Sequence, residues 1–126
     1  MKLIVTLLIG LSVLLACKKD EPATTATIAF IEPTANDTIV AGGELHVEGT
    51  IVGNSEMHGY TLKMVNETTN EVLVNTTSSS HASSYAFHEH WDNNVTQNSI
   101  VAVTITAHLD DAGNQATKTL KVVCLP

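Results

Sequence analysis

Residues 100–123 read IVAVTITAHLDDAGNQATKTLKVV. Val101, Val103, Ile105, Ala107 and Leu109 share one parity, and Ala102, Thr104, Thr106 and His108 share the other. Successive side chains of a strand point to opposite faces, so this alternation predicts a half-buried β-strand and not a helix. Asp110-Asp111-Ala112-Gly113-Asn114 supplies turn residues. Gln115–Val123 then returns with Leu120 and Val122 on the inward parity, which makes the stretch a hairpin.

Working back from that hairpin, short alternating segments recur between turn residues: Ala26–Ile31, Glu44–Val52, His58–Val65, Glu71–Asn75 and Tyr85–Trp91. In Glu44–Val52, Leu45, Val47 and Ile51 face in while His46, Glu48 and Thr50 face out. Tyr85 and Phe87 point one way, His88 and His90 the other. No stretch carries a helical apolar stripe. The expected fold is therefore all-β, an immunoglobulin-like antiparallel β-sandwich of about seven strands. Its expected core holds Val47, Leu62, Phe87, Val103, Ile105 and Leu120. A small jelly roll or open barrel is the competing architecture. Without an inter-sheet cysteine pair, an antibody-type domain is excluded.

The chain opens MKLIVTLLIGLSVLLAC. Lys2 precedes an apolar run too short for a membrane span, which needs roughly 20 apolar residues. A charged start, a short apolar core and a small residue before the cut make a secretory signal, here residues 1–16. Leu14-Leu15-Ala16-Cys17 resembles the lipobox of bacterial lipoproteins. That resemblance implies cleavage before Cys17, its lipidation and a hold on the membrane through several acyl chains. Residues 17–26 then form a lipidated tether and 27–126 the folded domain. Lys18-Lys19-Asp20-Glu21 resembles the charged export signal of Bacteroidota lipoproteins. It implies the outer membrane, with the cell surface and the periplasmic face both open.

The six cations are all lysines and there is no arginine. Lys2 leaves with the signal peptide, so five lysines face thirteen acids, a mature formal charge of −8. Such a chain repels phosphate backbones, and nucleic-acid binding is not expected. Nor has it a bidentate guanidinium for carboxylate or phosphate substrates. With Cys17 committed to lipid, Cys124 has no partner in the chain and reads as a small buried apolar residue.

AFIEPTANDTIVAGGELHVEGTI (29–51) and VTITAHLDDAGNQATKTLKV (103–122) resemble the opening and closing strands of small immunoglobulin-like lipoprotein domains of the Bacteroidota. The resemblance implies fold and compartment, and little about function.

Six histidines, His46, His58, His81, His88, His90 and His108, are many for so short a chain. In His88-Glu89-His90 the two imidazoles share a strand face and can reach one ion, at about 2.0–2.1 Å for zinc. If the second strand pairs with the fifth, as in an immunoglobulin-like sandwich, His46 joins them, with Glu48 as a further candidate. His81, in the Ser/Thr-rich loop 76–84, is a candidate mobile ligand. Nitrogen ligands suit zinc or copper, whereas calcium and magnesium take oxygen. Met57 and Met64 are candidate soft ligands for cuprous ion, Met64 reading rather as core. The same histidines also read simply as an exposed polar face.

No nucleophile elbow, phosphate-binding loop or His-Glu-x-x-His occurs, so an enzyme is not expected. Asp37-Thr38-Ile39 resembles the Bacteroidota O-glycosylation site, with Thr38 as acceptor in an exposed loop. The leading expectation is a lipid-anchored envelope module binding a zinc or copper ion through surface histidines. The alternative is a structural or adhesive module that binds protein or glycan without metal.

Overall fold

The computed structural model describes residues 21–126; the expected signal peptide and Cys17 lie outside the described residues. Every regular element within them is a strand: β1 (Ala26–Glu32), β2 (Thr38–Ile39), β3 (Glu44–Met57), β4 (Tyr60–Asn66), β5 (Glu71–Ser78), β6 (Ala82–Asp92), β7 (Ser99–His108) and β8 (Gln115–Cys124). They form two sheets, ordered β1-β3-β6 and β2-β8-β7-β4-β5. All pairings are antiparallel except the short β2–β8 ladder. The result is an immunoglobulin-like β-sandwich of eight strands.

The alternation of apolar residues sets which face is buried. Leu45, Val47 and Ile51 of β3, Leu62 and Met64 of β4, Phe87 of β6 and Val101, Val103 and Ile105 of β7 are essentially inaccessible and meet between the sheets. Five of the six expected core residues are fully buried; Leu120 is half-buried, packed on the rim of the core. Gly49 lies opposite Phe87 in the β3–β6 register, and a Cβ there would collide with the Phe87 ring and the Ala29 carbonyl. A side chain at position 49 would thus compete for the space that the large aromatic fills.

The hairpin that decides the fold forms as expected, with Leu109 N donating to the Asn114 carbonyl across its turn. Asp110 closes the turn: its Oδ1 accepts from the Ala112 and Asn114 amides, and its Oδ2 from the Asn114 side chain. These donors hold the Asp110 carboxyl below its ordinary 3.8.

Two elements differ from expectation. Thr38-Ile39, expected in a loop, pairs in parallel with Val123-Cys124. The pairing is braced by buried Asn93, whose Nδ2 donates to the carbonyls of Ile39, Val40 and Leu125. The second is β3, which runs on through Gly53-Asn54-Ser55-Glu56 to Met57, past a register shift in its pairing with β6.

Candidate metal centre

The β3–β6 register places His46 opposite His90, Glu48 opposite His88 and Glu44 opposite Asp92. All six lie on the parity opposite to Leu45, Val47 and Phe87, so they point out from the three-stranded sheet. Burial of Phe87 fixes that choice of face for β6, because turning His88 and His90 inward would expose the aromatic ring.

The three imidazoles meet on this face. The ring centres of His46 and His88 are 5.4 Å apart with planes at 74°. His46 and His90 stand 6.0 Å apart, and His88 and His90 6.3 Å. Two imidazoles sharing one tetrahedral zinc hold their centres about 5 Å apart, given about 2.0–2.1 Å per zinc–nitrogen bond. His46 and His88 already have nearly that separation, and His90 lies somewhat outside it. The spacing is close to that of ligands, but the orientation is not: among the described residues no three His, Cys, Asp or Glu side chains stand as a ready-made metal cage. A bound ion would require the exposed rings to turn about their side-chain torsions.

Carboxylates surround the group. Glu44 Oε1 contacts His46 Nε2, and Glu32 Oε1 lies 3.5 Å from His46 Nδ1. Both nitrogens of His46 therefore face an acid, so a cation reaching this ring must displace one acid or share it. Glu48 is on the same face but lies across from His88 and, on its other side, Glu32. Glu44 and Glu32 were not singled out in the sequence. Glu44 had a readable signal, since it shares strand parity with His46 two residues on. Glu32 had none, because only the β1–β3 register brings it there.

The other candidates fall elsewhere. The expectation that His81 joins His46, His88 and His90 is not met. His81 precedes β6 at its opposite end, nine residues from His90, or about 30 Å along a strand. There its ring stacks on His58, centres 4.3 Å apart and planes at 20°. His58 Nδ1 is 2.8 Å from Asp111 Oδ1, and His81 Nδ1 is 3.5 Å from Glu56 Oε1. His108 is not simply solvated: its Nε2 is 3.0 Å from Thr61 Oγ1. Met57 and Met64 are both fully buried in the core and do not line the histidine face. Thr38 is exposed but belongs to β2, not to a loop. Cys124 is buried and unpaired, and burial pushes its thiol pKa up. A polar groove of about 240 Å³, lined by residues including Asn66, Asn94 and Thr96, contains no histidine and is separate from this face.

No protein-family model matches the chain, and no curated protein sequence matches it. Among solved structures it is similar to the CARDB domain of the PF1109 protein from Pyrococcus furiosus, crystallised in complex with di-metal ions. The two share 16% identity at a TM-score of 0.46, over 83% of this chain and 96% of that one.

Proposed function

We propose that the protein is a lipid-anchored module of the bacterial cell envelope that binds a transition-metal ion, zinc or copper, on the outer face of its three-stranded sheet. The observation that carries this reading is the convergence of His46, His88 and His90 from paired strands, ring centres 5.4–6.3 Å apart. Imidazole nitrogen is a good ligand for zinc and copper, and the neighbouring carboxylates add charge that favours any cation. Glu44 takes the role of an acid that orients His46 or completes its coordination, as outer carboxylates do in metal sites generally.

The role in this reading is binding, not catalysis. Anchoring through Cys17 places it at the outer membrane, and its negative charge favours cations over phosphate-rich partners. The test is the metal content of mature protein after equilibration with zinc or copper and removal of free ion. One bound ion per chain is expected for the wild type and none for the His46→Ala/His88→Ala/His90→Ala variant. Equal content in the two would remove the proposed site and leave the adhesive module as the better account.

A further inference from the structure

We infer that the β3–β4, β5–β6 and β7–β8 loops form the end of the sandwich that faces the lipid surface, and that the histidine face is held out toward the aqueous side. The inference deepens the anchored reading above and rests on it.

It starts from where the described chain begins. β1 enters the sandwich with Ala26 opposite Gly53, near the far end of β3. The residues before it are tied to that same end. Thr25 N donates to Asn54 Oδ1 at 2.9 Å, and Asn54 N donates to the Thr25 carbonyl at 3.1 Å. Asn54 Nδ2 donates to the Ala23 carbonyl at 3.2 Å, and the Thr24 and Ser55 hydroxyls are 2.9 Å apart. Residues 23–25 thus leave the domain beside Asn54 and Ser55, at the end that carries the His58–His81 stack and the Asp110–Asn114 turn.

Chain length then limits where the lipid can be. Six residue steps separate Cys17 from Ala23, which reach at most about 20 Å when fully extended. The 14 residues of β3 span about 45 Å at strand rise. A tether of that reach cannot carry the opposite end of the sandwich to the bilayer while residues 23–25 stay docked. His46 lies eight residues along β3 from Asn54, about 26 Å farther from the exit point.

Charge decides which side faces the bilayer if the domain leans. Lys63 of β4 and Lys121 of β8 point out from the five-stranded sheet, Lys121 paired with Glu67, whereas Lys118 shares the inward parity of Leu120 and donates to the Ile28 carbonyl of β1. Glu32, Glu44 and Glu48 lie with the histidines on the other sheet. An anionic lipid surface therefore repels the second side more strongly than the first. Both terms leave the histidine face open to a soluble ion or to a partner that delivers one.

The test uses the full lipidated protein on vesicles of phosphatidylethanolamine and phosphatidylglycerol that carry an acceptor dye on the headgroup. A donor dye is placed through Ala112→Cys in the β7–β8 turn or Asn98→Cys in the β6–β7 loop, both exposed positions. Cys124 is buried and does not compete for label. Energy transfer to the lipid is expected to be about twofold or more stronger from 112 than from 98, since most of the sandwich length separates them. Equal transfer, or stronger transfer from 98, on protein that floats with the vesicles would overturn the orientation and leave the anchor intact. Wild type that fails to float, behaving like Cys17→Ala, would overturn the anchored reading and this inference with it.

Discussion

His46, His88 and His90 project from two paired strands on one face; His58 and His81 project from connections at the other end of the same strands. In the first group the sheet backbone sets the spacing, and the rings stand apart at 5.4–6.3 Å with mixed orientations. In the second the rings lie almost flat on one another at 4.3 Å, each with Nδ1 toward a carboxylate. Stacked rings keep their nitrogens in parallel planes, so they cannot converge on one ion at about 2 Å without unstacking. Similar residues therefore do different work. The strand group offers donors that can turn toward a cation, while the loop group clips together the β3–β4, β5–β6 and β7–β8 connections.

The comparison breaks most severely if the faces of β6 are disturbed. Phe87→Ala removes the buried ring that commits His88 and His90 to the outside, and should cost about 3–5 kcal/mol of stability in denaturant unfolding. A loss below about 1 kcal/mol would be an exposed-site effect and would contradict the assignment of faces. Gly49→Ala attacks the same contact from β3 and should cost about 1–3 kcal/mol through overpacking.

Metal affinity separates the two groups directly. His46→Ala, His88→Ala and His90→Ala should each weaken zinc or copper binding by about tenfold or more, roughly the 1.4 kcal/mol that a tenfold change represents. Glu44→Gln should weaken it in the same direction, within the roughly 10–100-fold range of outer carboxylates. Acid should weaken it too, strongly by about pH 5, because the metal binds neutral imidazole and protons compete.

Smaller effects belong to the loop end. His58→Ala or His81→Ala should lower stability by about 0.5–1.5 kcal/mol, the size of one aromatic pair with a largely solvent-screened ion contact. Their metal affinity should stay at the wild-type value. The least is expected of Asp110. Its carboxyl is held low by Asn114, so its contribution is complete above its ordinary 3.8 and fades only as the pH falls further. Asp110→Ala should flatten that acid limb of a stability–pH profile by lowering the neutral-pH plateau slightly, so that the two proteins converge in acid.

Much of this arrangement is readable from alternation. The parity of Leu45 and Val47 against His46, and of Phe87 against His88 and His90, assigns both faces before any coordinates. Pairing of the second strand with the Tyr85 strand then follows from immunoglobulin-like topology. What alternation cannot supply is register to a third strand or contact between loops. Glu32 reaches His46 only through β1, and His81 reaches His58 only because three connections meet at one end. The last turns of β3 were equally hidden: Asn54, Ser55 and Glu56 are all exposed, so no apolar rhythm marks them as strand. β2 is two residues long and held by Asn93 from another loop, a purely tertiary signal.

The central claim, that the strand histidines and not the loop histidines hold a cation, is tested most directly by calorimetric titration of three proteins near pH 7.5 with zinc and with copper. They are mature wild type, His88→Ala/His90→Ala and His58→Ala/His81→Ala. One ion per chain should bind to wild type and to the His58→Ala/His81→Ala variant with matching affinity, and binding to the His88→Ala/His90→Ala variant should be lost or reduced by about 100-fold, which is two tenfold steps of about 1.4 kcal/mol each. Unchanged binding by His88→Ala/His90→Ala, or its loss in His58→Ala/His81→Ala alone, would contradict the account.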